Sequence, residues 1–161
     1  MRKLVAVVMG SKSDYSCVKN TLDLLKEFQI PYEVKVLSAH RCTDETVAYA
    51  KSLRENGFKV VIAAAGKSAA LAGVIAGSTT LPVLGIPIKS STLDGLDSLL
   101  STVQMPAGIP VASLAIGDHG AKNAAIFALS ILAINDDKYQ EILLKYRKDM
   151  KEDVLNVELD D

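Results

Sequence analysis

Tryptophan is absent, and all aromatic residues together make up 5% of the 161-residue chain. A core built on large rings is excluded, so packing must come from the abundant Ala, Val, Ile and Leu. Cysteine is nearly absent too. Cys17 and Cys42 are too few and too unpatterned for a disulfide scaffold, which implies a reducing, cytoplasmic setting. Cys42 is read as a small loop-packing residue rather than a reactive thiol. Net charge is close to nothing, at −1, so no whole-protein field favours nucleic acid or an anionic membrane. Long apolar runs are missing, and those present are strand-length and broken by Gly, Pro or charge, so none spans a bilayer. Met1-Arg2-Lys3 precedes six apolar residues and a glycine loop, too short for a signal peptide. Mean hydropathy is nonetheless +0.23, which hints at surface buried against further copies of the chain.

Strand and helix signals alternate along the whole length. Leu4–Met9 is a continuous apolar run, as in a strand buried on both faces. Gly10–Asp14 turns into a helix whose stripe is Val18, Leu22, Leu25 and Phe28, stopped before Pro31. Tyr32–Leu37 alternates like a strand nearer an edge. Thr43-Asp44-Glu45 supplies a cap and first-turn acids for a helix to about Asn56, ended by Gly57. Lys59–Ala65 is a third strand, after which Gly66-Lys67-Ser68 opens a small-residue helix to about Gly77. Pro82–Ile86 and Val111–Ile116 are strands four and five, separated by a looser stretch with a short helix near Asp94–Val103. Asn123–Asn135 is a helix apolar nearly all round, and Lys138 to about Asp153 is amphipathic, with an acidic frayed tail over about 154–161.

Alternating strands and helices with short loops predict a three-layer α/β fold: a doubly wound parallel sheet with helices on both faces. Five strands favour the flavodoxin-like order 2-1-3-4-5, followed by a C-terminal helix. The chain reads as a single catalytic domain over 1–161, with no repeat and no second domain. In that order the loops after strands one, two and three open on one crevice at the switch point.

Those three loops carry the chemistry-bearing residues. Only two histidines exist, and one stands in Ser38-Ala39-His40-Arg41. Histidine titrates near neutrality and can act as acid or base. Arg41 beside it can grip a phosphate or carboxylate with two hydrogen bonds. In Gly10-Ser11-Lys12-Ser13-Asp14, the hydroxyls of Ser11 and Ser13 and free N–H groups at a helix start suit a phosphate. Asp14 would repel a phosphate, so its partner is a ribose hydroxyl or a ring amine; Asp14 or Ser13 can equally be a plain helix cap. Gly66, Lys67 and Ser68 lie in the third loop, where the backbone can approach a ligand closely and Lys67 either neutralises a substrate anion or stands in solvent. Gln104-Met105-Pro106 suits a lid or a subunit contact. His119, in Asp118-His119-Gly120, is read as a solvated turn residue.

Four ordered segments together resemble one known family. Gly10–Asp14, Ser38–Arg41, Asp97–Pro106 and Gly120–Ala125 are similar to segments of the N5-carboxyaminoimidazole ribonucleotide mutases of purine biosynthesis, over nearly the whole chain. The resemblance implies the doubly wound fold, assembled as a homo-octamer, with no metal and no organic cofactor. It implies migration of a carboxylate, with a ribonucleotide and carbon dioxide as the small-molecule partners. Ser11, Asp14 and Arg41 would bind substrate, with Ser13 and Ser38 near it, and His40 would be the acid and base. The small-residue loop Ala64–Gly73 would hold carbon dioxide away from water. One departure separates two activities. Typical mutases carry a second histidine where Ala70 stands here, while sister carboxylases, which use free carbon dioxide directly, read Gly-Arg-Ser where this chain has Gly66-Lys67-Ser68. The mutase is the expected activity and the aminoimidazole ribonucleotide carboxylase the alternative.

Overall fold

The computed structural model describes residues 3–158. Five parallel strands form one sheet in the order β2-β1-β3-β4-β5: β1 (Val5–Met9), β2 (Tyr32–Val36), β3 (Val60–Gly66), β4 (Val83–Ile88) and β5 (Ala112–Ser113). Six helices connect or follow them: α1 (Tyr15–Glu27), α2 (Thr43–Ser52), α3 (Leu71–Ala76), α4 (Leu96–Val103), α5 (Asp118–Leu132) and α6 (Asp137–Leu155). This is the expected order, with β1 and β3 paired from Val5–Val60 to Met9–Ala64 at the switch point.

The pleat of β1 explains the two halves of the core. Val5, Val7 and Met9 face one side, where Val18, Leu22 and Leu25 of α1 and Ala121, Ala124 and Ala128 of α5 cover them. Ala6 and Val8 face the other, covered by Leu53 after α2 and by Leu71 and Ile75 of α3. All five residues of β1 are fully or almost fully buried, which is why the run reads as unbroken hydrophobicity. A buried Thr21 hydroxyl donates to the Ala121 carbonyl at 2.7 Å and locks α1 to α5. Phe28 meets Tyr146 of α6 edge-on, with ring centres 5.3 Å apart.

β2 is the edge strand the alternation suggested, with Val34 and Val36 exposed. Several boundaries differ from the sequence reading for physical reasons. β5 pairs over two residues instead of six. Leu114 N–H still reaches the Gly85 carbonyl, and Gly117 N–H reaches that of Pro87, so three residues on one strand span two on the other. Pro87 has no N–H to return, and the ladder breaks there. Helix α5 begins at Asp118, five residues before the expected Asn123. His119 therefore lies in the first turn of a helix and not in a turn, although it is exposed as expected. Gly66-Lys67-Ser68 does not open a helix: Gly66 ends β3, and α3 starts only at Leu71. Thr43 is the first residue of α2 rather than its cap, and its hydroxyl donates backward to the Ala39 carbonyl at 2.7 Å. Gly57, at φ +87°, closes the turns after α2. The acidic tail begins later than read, since α6 continues through Leu155; residues 159–161 lie outside the described residues.

Candidate active site

The loops after β1, β2 and β3 meet over the carboxyl ends of their strands around a cavity of about 600 Å³, inside the range of roughly 300–1,000 Å³ usual for small-molecule sites. Ser11, Ser13, Asp14, Ser38, His40, Arg41, Gly66, Lys67 and Ser68 all line it. The sequence reading missed the fourth wall, Ile88, Lys89, Ser90 and Ser91 after β4. The signal was present: β4 lies beside β3, so its C-terminal loop must open on the same end. The polar run Lys89-Ser90-Ser91 was absorbed into a loose stretch instead. Among the lining side chains, Arg41, Lys67 and Lys89 are cationic and Asp14 is the acid, a balance suited to an anionic ligand.

The β1 loop is a capped 3-10 turn over Lys12–Asp14. Ser11 N–H donates to the Asp14 carboxylate at 3.1 Å, and the Ser11 hydroxyl accepts from Ser13 N–H at 3.3 Å. Asp14 N–H in turn donates to the Ser11 carbonyl at 3.1 Å. Ser11 is thus the capping residue, and Asp14 completes the box instead of capping α1. The N–H groups of Ser11, Ser13 and Asp14 are taken up inside the loop, contrary to the expectation that they stand free. What the loop offers a ligand is its hydroxyl groups. Asp14 is buried, and desolvation pushes its carboxyl above the usual value despite the opposing Ser11 and Ser13 hydrogen bonds and nearby Arg41.

In the β2 loop, Ser38 shapes the turn that presents His40 and Arg41. Its hydroxyl oxygen accepts from His40 N–H at 3.3 Å and Arg41 N–H at 3.2 Å. It also accepts a longer bond from Arg41 Nε at 3.4 Å. Cys42 packs inside the same turn, its sulfur accepting from Ser38 N–H at 3.1 Å. The thiol of Cys17, the other free cysteine, is pushed up to about 12, chiefly by burial and then by Asp118, so it is not built as a nucleophile.

The β3 loop lines the cavity with the small or apolar Ala65, Gly66, Ala70 and Leu71 together with Lys67 and Ser68. Lys67 is exposed and held at φ +54°, a left-handed conformation that costs a non-glycine residue about 1–2 kcal/mol. The Lys67 carbonyl accepts from Ala69 N–H at 2.9 Å, and the Ser68 carbonyl accepts from Ala70 N–H at 2.7 Å, so two tight turns follow one another. Across the cavity, the Ser90 hydroxyl donates to the Asp97 carboxylate at 3.2 Å, fastening the β4 loop to α4.

The sequence profile of the family described as AIR carboxylase matches residues 4–153. The chain belongs to the AIR carboxylase family. A curated N5-carboxyaminoimidazole ribonucleotide mutase of Pseudomonas aeruginosa is 53% identical over 156 residues, covering 97% of this chain and 96% of its own. The curated mutase of Escherichia coli is 48% identical, covering 94% of this chain and 89% of its own. A crystal structure of Treponema denticola PurE superimposes with a TM-score of 0.87 at 28% identity, covering 96% of this chain and 95% of that one. The family resemblance noted from four sequence segments therefore holds across the whole domain-length match, and the AIR carboxylase fold is the one described above.

Proposed function

We propose that the chain is an N5-carboxyaminoimidazole ribonucleotide mutase, converting that carbamate to 4-carboxy-5-aminoimidazole ribonucleotide in purine biosynthesis. The observation that carries this reading is the meeting of His40 and Arg41 with Ser11, Ser13 and Asp14 on one cavity, in a chain sharing 53% of its residues with a curated mutase. The phosphate lies at Ser11, Ser13 and Arg41, where two hydroxyls and a guanidinium converge. Asp14 takes a ribose hydroxyl, Ser38 donates beside it, and Gly66 and Ser68 let the backbone come close to the base.

His40 moves both protons. As the nitrogen–carbon bond of the carbamate breaks, His40 as imidazolium protonates that nitrogen and carbon dioxide is released into the cavity. C4 of the aminoimidazole ring then attacks the carbon dioxide, and the neutral His40 removes the C4 proton. The imidazolium is regenerated and the net reaction is an isomerisation. The wall of Ala65, Gly66, Ala70, Leu71 and Ile88 offers carbon dioxide no nucleophile while it is free. The sequence of steps draws on no metal or organic cofactor.

Homo-octamer assembly belongs to the same proposal, supported by the exposed Leu96, Leu100, Val103, Ile109 and Phe127. So does a cytoplasmic location. Among the described residues no helix is long and apolar enough to cross a membrane.

A direct carboxylase is the second reading, favoured by Ala70 and by Gly66-Lys67-Ser68 in the β3 loop. Conversion of the carbamate in buffer containing ¹³C-bicarbonate separates the two. The mutase reading expects rapid 4-carboxy product with an unlabelled carboxylate. Heavily labelled product, formed as fast from aminoimidazole ribonucleotide and bicarbonate, would replace it with the carboxylase.

A further inference from the structure

Lys67 is the cavity residue whose conformation its own chemistry does not favour. It sits at φ +54° in a loop whose other cavity-lining residues are Ala65, Gly66, Ser68, Ala70 and Leu71. Strain retained at a site that a glycine would relieve points to a use for the side chain. The cavity's other arginine and lysine side chains each have a protein partner. Arg41 reaches across to the Gly10 carbonyl at 3.0 Å, and Lys89 pairs with Asp94 at 3.2 Å. Among the described residues Lys67 forms no ion pair.

The sheet order says which end of a ligand Lys67 meets. The hydroxyls of Ser11 and Ser13 and the Arg41 guanidinium lie over β1 and β2. Lys67 follows β3, on the side of β4. Neighbouring strands are about 4.8 Å apart, so a mononucleotide with its phosphate over β1 and β2 extends its base toward β3 and β4. There the wall includes Ala70 and Ile88. A carboxylate on the base meets the hydroxyls of Ser68, Ser90 and Ser91 there, but beside the apolar wall it still needs a counter-charge.

Building on the reaction proposed above, we propose that the Lys67 ammonium is the counter-ion of the substrate's carboxylate, while Arg41 faces the phosphate. Lys67 then selects carboxylated over uncarboxylated ribonucleotide, and holds the carboxylate beside the apolar wall where carbon dioxide is released.

The test is calorimetric titration of wild type, Lys67→Gly and Lys67→Gln with two ribonucleotides that differ by the carboxylate, 4-carboxy-5-aminoimidazole ribonucleotide and 5-aminoimidazole ribonucleotide. Glycine suits the backbone at φ +54°, so Lys67→Gly keeps the fold, which thermal unfolding checks. Both variants are expected to lose about tenfold or more in affinity for the carboxylated compound and to bind the uncarboxylated one as wild type does. Equal losses for both compounds would place Lys67 on the phosphate and overturn the proposal; no loss for either would make it a solvated charge and overturn it too. Wild type that binds both compounds yet converts no carbamate would refute the proposed reaction, and the contrast between the two ligands would still decide the role of Lys67.

Discussion

Arg41 donates from Nη2 to the carbonyl oxygen of Gly10 at 3.0 Å, joining two loops that are 31 residues apart in sequence. This bond ties the turn that presents His40 to the turn that presents Ser11 and Ser13. A longer bond from Arg41 Nε to the Ser38 hydroxyl oxygen at 3.4 Å also holds the guanidinium, and its remaining N–H groups are the ones proposed to meet the phosphate. A lysine lacks both the fork and the planar reach. Arg41→Lys is expected to raise KM for the ribonucleotide about tenfold, the worth of one charged hydrogen bond of roughly 1.5 kcal/mol, with a smaller change in kcat. Steady-state kinetics on the purified variant check this, and an unchanged KM would remove Arg41 from the phosphate.

Asp14 gives the site a pH-dependent stability of predictable sign. Burial raises its carboxyl above the unfolded value. The folded chain therefore holds the proton at pH values where the unfolded chain has released it. Stability falls as pH rises through that interval, and above it the buried charge is a constant penalty. Asp14→Asn keeps an acceptor for Ser11 N–H and removes the charge. Its melting temperature relative to wild type is expected to climb as pH rises past the ordinary carboxylate range, and to show no such gain below it. Melting curves from pH 3.5 to 7.5 decide, and a relative gain that shrinks with rising pH would reverse the assignment. The variant is also expected to bind ribonucleotide more weakly, through loss of the ribose contact.

Gly120 is fixed by its surroundings. A Cβ there would lie 1.7 Å from the Ala115 carbonyl oxygen, a backbone atom that cannot swing aside. Gly120→Ala is expected to cost about 3 kcal/mol, or a fall of roughly 6–12 °C in Tm for a chain of this size. Gly66→Ala is the comparison, since its Cβ would meet Ile88 at an ordinary 3.6 Å. Differential scanning calorimetry of both variants tests the contrast; similar small losses in the two would show that α5 can shift outward freely.

The same Gly120 shows where the sequence was legible and where it was not. Taken alone, Asp118-His119-Gly120 looks like a turn, because glycine disfavours helices. The close approach of Ala115 that demands a glycine is a tertiary fact, invisible to local propensity. β5 was overextended for a similar reason: the run Val111–Ile116 is strand-like, but its partner strand offers Pro87 where an N–H is needed. By contrast β1 and β3, buried on both faces, announce themselves through unbroken apolar runs, and their pairing fixes the crevice. Ser11 and Asp14 lie in the loop after β1, and His40 and Arg41 in the loop after the edge strand β2, so the strand pattern alone places all four at the crevice as candidates. Ser90 and Ser91 were not legible, because nothing in the local pattern separates the end of β4 from the loop beyond it. The strain at Lys67 was equally hidden, since a left-handed lysine has no sequence signature.

His40 carries the central claim, that one side chain in this crevice performs both proton transfers. It lines the cavity on a turn held by the Ser38 hydroxyl, so an asparagine can occupy the same place without disturbing the loop. The most direct measurement is turnover of N5-carboxyaminoimidazole ribonucleotide by His40→Asn, alongside calorimetric binding of 4-carboxy-5-aminoimidazole ribonucleotide. The account predicts a fall in kcat of at least about a hundredfold, the lower range for a lost general acid–base group, with ligand affinity close to wild type. Full turnover by His40→Asn would contradict it and move the acid–base chemistry to another group.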